Sequence, residues 1–135
     1  MKQPSHKWVV IDDLMISLTV PGRAPDSVWA DCAKELTSKR ITRYLAMGIG
    51  ELDVTSVQRK MVSEACISRG IEVAVLTDEG LVRGLVTAVG WLGVKIKAFP
   101  FSKLDEALAH LKLTKSMTEE ATRAVVRMKM SYQPQ

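Results

Sequence analysis

This chain has no apolar run approaching the ~18 residues that a bilayer-spanning helix needs, and its opening residues, MKQPSHKW, carry no signal-like apolar stretch. It therefore reads as a cytoplasmic protein with no membrane span. Cysteine is scarce: Cys32 and Cys66 stand alone. They lack metal-ligand spacing, and two thiols make a poor disulfide framework, so both read as small buried apolar side chains. Histidine is as scarce. His6 falls in a terminus expected to fray and His110 on the wet side of a late helix, neither with a Cys, Asp or Glu at ligand spacing. Aromatics make up 5% of the chain and show no base-stacking pattern, while the net charge of +4 comes from scattered basic residues. That excludes the clustered basic face of a nucleic-acid binder. The acidic pairs Asp12-Asp13, Asp105-Glu106 and Glu119-Glu120 sit at turns or helix starts and read as capping or solvation. Gly48-x-Gly50 follows a predicted strand, but the third glycine of a dinucleotide fingerprint is missing, and so is a Gly-Lys-Ser/Thr. No catalytic, cofactor-binding or metal-ligating constellation emerges, and the chain does not read as an enzyme.

What is present is a folded pattern. Of 135 residues, 47% are apolar, which suits one domain with a real core. Trp8 to Ile11, a turn at Asp12-Asp13 and Leu14 to Val20 predict a hairpin. Ile16, Leu18 and Val20 share one face of its second strand, and Ser17 and Thr19 mark a wetter one. Asp26 to Lys39 predicts an amphipathic helix carrying Val28, Trp29, Cys32, Ala33 and Leu36. Ile41 to Ile49 reads as a strand. A second helix opens at Thr55 or Asp53, lines one side with Val57, Met61, Val62 and Ala65, and stops at Gly70. Ile71 to Thr77 is apolar enough for a strand covered on both faces. Asp78 is placed to cap a third helix containing Leu81, Val82, Leu85, Val86 and Val89. Gly80, Gly84 and Gly90 beside it suit either close packing or a shallow apolar groove. Val94 to Phe99 alternates with Lys95 and Lys97 on one side, the pattern of a protected edge strand. Ser102 is placed to cap a helix with Leu104, Ala107, Leu108 and Leu111 on its core side. The fold class is α/β: a mixed, mostly parallel sheet with an N-terminal hairpin, about four helices in the core and an extra C-terminal helix. Residues 1–7 are expected to form a flexible lead, 8–113 the domain and 114–135 a helical extension.

In that extension Ser116-x-x-Glu119 suggests a capping box. Met117, Ala121, Ala124, Val125, Met128 and Tyr132 then form a single helical stripe. A lone helix of this length is marginal in water, so the stripe must be covered, by the sheet or by a second protomer. Met117, Ala121, Val125 and Met128 suit a homodimer contact, and self-association is the favoured expectation.

The order of elements, together with VTAVGWLGVKIKAFPFSKLDEALAHL (Val86 to Leu111), resembles the STAS domain of bacterial anti-sigma-factor antagonists and sulfate-transporter tails. VLTDEGLVRGLVTAVGWLGVKIKAFP is most similar to SpoIIAA-like bacterial proteins of the STAS and SEC14 type. The likeness spans roughly Trp8 to Leu111. It implies a non-enzymatic module for protein–protein interaction in bacterial regulation; the alternative it offers is a SEC14-like domain binding a lipid or small ligand. In the antagonists the stretch after the third strand reads Asp-Ser-Ser-Gly-Leu-Gly, and its second serine accepts phosphate at a helix start. Here that stretch is Asp53-Val54-Thr55-Ser56-Val57-Gln58. The resemblance places Thr55 at the phospho-acceptor position, with the neighbouring Ser56 hydroxyl at the same helix start as the other candidate, and makes Asp53, Thr55, Ser56, Gln58 and Arg59 the docking surface for a kinase-like or scaffold protein. Ser56 and Gln58 replace the glycines that would let such a partner approach the backbone closely. On residue chemistry alone, Thr55-x-x-Gln58 is also a complete capping box, which is the plain structural reading.

Overall fold

A computed structural model describes residues 4–38, 40–80, 82 and 95–132. The elements are β1 (His6–Ile11), β2 (Leu14–Thr19), α1 (Asp26–Leu36), β3 (Arg43–Gly48), α2 (Ser56–Arg69), β4 (Glu72–Leu76) and β5 (Ile96–Phe99). A 3-10 turn (Phe101–Lys103), α3 (Leu104–His110) and α4 (Lys115–Ser131) follow. The strands form one five-stranded sheet in the order β1-β2-β3-β4-β5. Only β1 is antiparallel to its neighbour; the other pairings are parallel. The chain is thus α/β with a mixed sheet opened by a hairpin, as its pattern predicts. The helix expected between Asp78 and Gly90, with its glycines, lies almost wholly outside the described residues.

The hairpin turns through Asp12 and Asp13, with Asp12 at φ +51°, a region that Asp tolerates better than most side chains. Asp13 also accepts the Thr42 hydroxyl, and its carbonyl takes the Thr42 and Arg43 amides, which seats the start of β3. Two expectations fail in this hairpin. His6 is not in a frayed lead: it is 3% exposed, pairs with Thr19 across the ladder and stacks on Trp29 at 3.7 Å. Nor does β2 have a wet face, for every one of its residues is buried. Ser17 and Thr19 are satisfied internally, Ser17 Oγ lying 2.6 Å from Tyr44 Oη and Thr19 Oγ1 3.0 Å from His6 Nδ1. Such pairing is what permits hydroxyls in a dry interior.

The reason β2 is dry on both sides is that helices cover both. Met15 joins Tyr44 and Val73 beneath Cys32 and Leu36 of α1 and Ala65 and Cys66 of α2. Leu14, Ile16 and Leu18 join Leu45, Met47 and Leu76 beneath Ala107 and Leu108 of α3 and Ala121, Ala124, Val125 and Met128 of α4. The C-terminal stripe is therefore spent inside its own chain. Ala121, Val125 and Met128 are buried and Met117 packs beside them, which corrects the expectation that they face a second protomer. The helix completes the domain.

Several boundaries move for local reasons. α1 stops at Leu36 because the Thr37 hydroxyl donates to Lys34 O at 2.7 Å and closes the turn. α4 begins at Lys115: Thr114 Oγ1, not Ser116, takes the Met117 amide at 3.2 Å. α3 has no side-chain cap at Ser102, since the chain enters it through the 3-10 turn after Pro100. Asp78 accepts the Phe101 amide at 3.0 Å, tying the ends of β4 and β5 together. Gly70 ends α2 at φ +62° as expected.

Candidate functional site

The segment from Gly48 to Arg59 leaves the carboxyl end of β3 and enters α2. Gly48 makes room for it: a Cβ there would stand 2.9 Å from Leu52 Cδ1. Gly50 turns it at φ +73° against Pro21. Packing and backbone conformation account for the two glycines without any phosphate. Ile49 N donates to Thr19 O at 3.0 Å, and Asp53 then meets Arg23 from the loop after β2, Oδ1 to Nη2 at 2.8 Å. The hydrogen bond to Asp53 raises the Arg23 pKa above its ordinary value.

Thr55 is the N-cap of α2. Its Oγ1 accepts the Gln58 amide at 3.1 Å, and Gln58 Oε1 accepts the Thr55 amide at 3.2 Å. The capping box read from the sequence is present in full. Gln58 does more. Its Nε2 donates to Ala24 O and to Asp26 Oδ1, both at 2.9 Å, joining the start of α1 to the start of α2. It is 1% exposed, so it belongs beneath the docking surface and not on it. It was the family resemblance that placed Gln58 on that surface; the capping-box reading of the same residue is the one that holds.

The remaining candidate residues stand differently. Thr55 is half-buried with its oxygen committed to the cap, while Asp53, Ser56 and Arg59 are exposed. Ser56 is the first residue of α2, and no described residue bonds its hydroxyl. Arg59 Nη1 donates back to Val54 O at 2.9 Å, which holds the guanidinium over the helix start. Val57, expected on the core stripe, is 56% exposed beside them. Ala65 of the expected stripe is buried and Val62 packs against the core, and Gln58 and Cys66 join them on the buried side. It is the first position that departs: Gln58 stands inward where Val57 was expected, and no periodicity of apolar residues reveals that.

Burial pushes the Cys32 and Cys66 thiols up to about 12, so neither supplies a thiolate nucleophile near neutral pH. His110 Nε2 lies 3.8 Å from Glu72 Oε2, beyond hydrogen-bond reach. Among the described residues, no three His, Cys, Asp or Glu side chains gather as a metal site would need, and no helix is long and apolar enough to cross a membrane. A recess of about 420 Å³ beside Thr122, Arg123, Val126, Arg127 and Met130 lies on the outer face of α4. It is open to solvent, unlike the enclosed cavity that holds a lipid or small ligand. Set against protein-family models, curated proteins and solved structures, the chain matches none.

Proposed function

We propose that this chain is a STAS-like, non-enzymatic interaction module of bacterial cytoplasmic regulation, which docks a protein partner through the start of α2 and is switched by phosphate there. The observation that carries the reading is the contrast within that helix start. Gln58 and the Arg23–Asp53 pair hold the backbone firmly from below and beside, and Ser56, Val57 and Arg59 project from it into solvent. A partner meets an ordered patch with one exposed apolar side chain and one flanking guanidinium, so little chain ordering opposes binding. Phosphate on the unbonded Ser56 hydroxyl is favoured by the positive end of the helix, leaves the Thr55 cap in place, and changes the charge of the patch. Thr55 is the second acceptor, with its oxygen already committed to the cap. Intact-mass measurement and peptide mapping on the protein purified from its native cells test the switch. The reading expects a phosphate increment on the peptide carrying Thr55 and Ser56. Phosphate confined to other peptides, or none in any growth state, contradicts it.

A further inference from the structure

Arg23, Arg59 and Lys60 flank the start of α2, and they are engaged differently. Arg23 Nη2 lies 2.8 Å from Asp53 Oδ1. Lys60 Nζ lies 3.8 Å from Glu64 Oε1, one turn further along the helix. Arg59 pairs with no carboxylate among the described residues. Its Nη1 donates to a neutral oxygen, Val54 O, at 2.9 Å, and no described residue takes the N–H groups of Nη2 or Nε. Arg59 is rooted three residues after Ser56, and the carbonyl it reaches lies two residues before it. Its own amide closes the first turn on Thr55 O at 3.0 Å. Residues three apart are neighbours on a helix surface, and helical side chains lean toward the amino end. The guanidinium is therefore carried back along the first turn beside the Ser56 hydroxyl, which no described residue bonds.

We infer that Arg59 is the internal counter-ion of phosphate on Ser56, so that modification withdraws the guanidinium from the docking patch as it adds charge. The inference rests on the reading of Ser56 as an acceptor. Phosphoryl transfer from a nucleoside triphosphate forms the Ser56 Oγ–P bond, breaks the bridging P–O bond of the donor and releases the hydroxyl proton. The new group carries close to two negative charges near neutral pH. An arginine–phosphate pair is charge-assisted and bidentate, and the free N–H groups of Nη2 and Nε supply it while Nη1 keeps Val54 O. Lys60, four residues from Ser56, is the rival cation. Its ammonium is a point charge already facing Glu64, without the planar fork that matches phosphate oxygens. Arg23 is held by Asp53. The unmodified patch presents Val57 beside a cation; the modified patch presents it beside a closed ion pair with surplus negative charge. A partner group that pairs with Arg59 loses its contact on phosphorylation.

Phosphoserine built into the full chain at Ser56 during translation tests this without the native kinase. Phosphorus NMR titration reads the second pKa of the phosphate, ordinarily about 6. A guanidinium in contact favours the dianion and holds that value down. The phosphorylated wild-type chain should titrate roughly half a unit or more below the phosphorylated Arg59→Gln chain, with Arg59→Lys between them. Lys60→Gln should titrate with the wild type. Arg59 and Lys60 are both exposed, so every variant should keep the wild-type circular dichroism spectrum. Equal values in the wild type and Arg59→Gln, or a rise produced by Lys60→Gln and not by Arg59→Gln, overturns the inference and leaves the docking of a partner at Val57 standing. An absence of phosphate from the native protein contradicts the switch instead, and does not alter what these titrations read.

Discussion

Gln58 Nε2 lies 2.9 Å from Asp26 Oδ1, a bond that fastens the first turn of α2 to the first residue of α1. The same nitrogen holds Ala24 O, and the same side chain completes the Thr55 capping box. Replacing Gln58 by Ala leaves the Thr55 amide, the Ala24 carbonyl and the Asp26 carboxylate each one partner short. Asp26 is exposed and takes water in exchange, whereas the buried Ala24 carbonyl keeps its desolvation cost, so the expected loss is about 1–3 kcal/mol. Thr55→Ala removes only the cap hydroxyl and should cost about 1 kcal/mol. Urea unfolding of the two variants checks the order: Gln58→Ala must be the less stable.

His6 is expected to make the fold acid-sensitive. It is buried, stacks on Trp29, and has its pKa lowered to about 4 by desolvation. In the unfolded chain it titrates near the ordinary value of about 6.5. Above that pH both states are neutral and His6 contributes no pH dependence. As pH falls from 6.5 toward 4 the unfolded chain takes up the proton and the folded chain does not. Stability should therefore decline across that window by roughly 3 kcal/mol from this residue alone. The stability difference between wild type and His6→Phe, followed by urea unfolding from pH 7 to pH 4.5, should change by an amount of that order. A difference that stays constant with pH would remove His6 from the account.

The C-terminal helix makes a third prediction, opposite to the one its sequence invites. Ala121, Ala124, Val125 and Met128 cover Leu14, Ile16 and Leu18 of the same chain. Deleting Lys115 to Gln135 uncovers that face of the sheet. The shortened chain should lose its cooperative thermal transition and aggregate instead of yielding a folded monomer; differential scanning calorimetry and light scattering distinguish the two outcomes.

What the sequence revealed follows from the range of each interaction. The Thr55–Gln58 box spans four residues, so its spelling is its structure. The strand and helix order is legible for the same reason, since apolar periodicity is set locally. Gln58 reaching Ala24 and Asp26, 34 and 32 residues away, has no local signature. The resemblance put Gln58 on the surface and apolar spacing put Val57 on the core stripe, and neither signal carries this long-range bond. The α4 stripe shows the same limit: its spacing proves that something must cover it, but says nothing of whether the cover is Leu14 and Ile16 or another molecule. His6 looked frayed because its sequence neighbours are polar. Its real neighbours are Thr19 and Trp29, supplied by the sheet register and by α1.

The central claim is that the start of α2 is the docking surface, and Val57 is where it is most exposed to contradiction. Val57 is 56% exposed and outside the core, so Val57→Asp should leave folding intact. The decisive measurement is quantitative mass spectrometry of proteins cross-linked to the wild type and to Val57→Asp in native cells, at equal expression. The account predicts at least one protein cross-linked to the wild type, depleted severalfold by Val57→Asp and likewise by Ser56→Glu, with the circular dichroism of both variants unchanged. The same proteins in equal amounts on all three chains would contradict it.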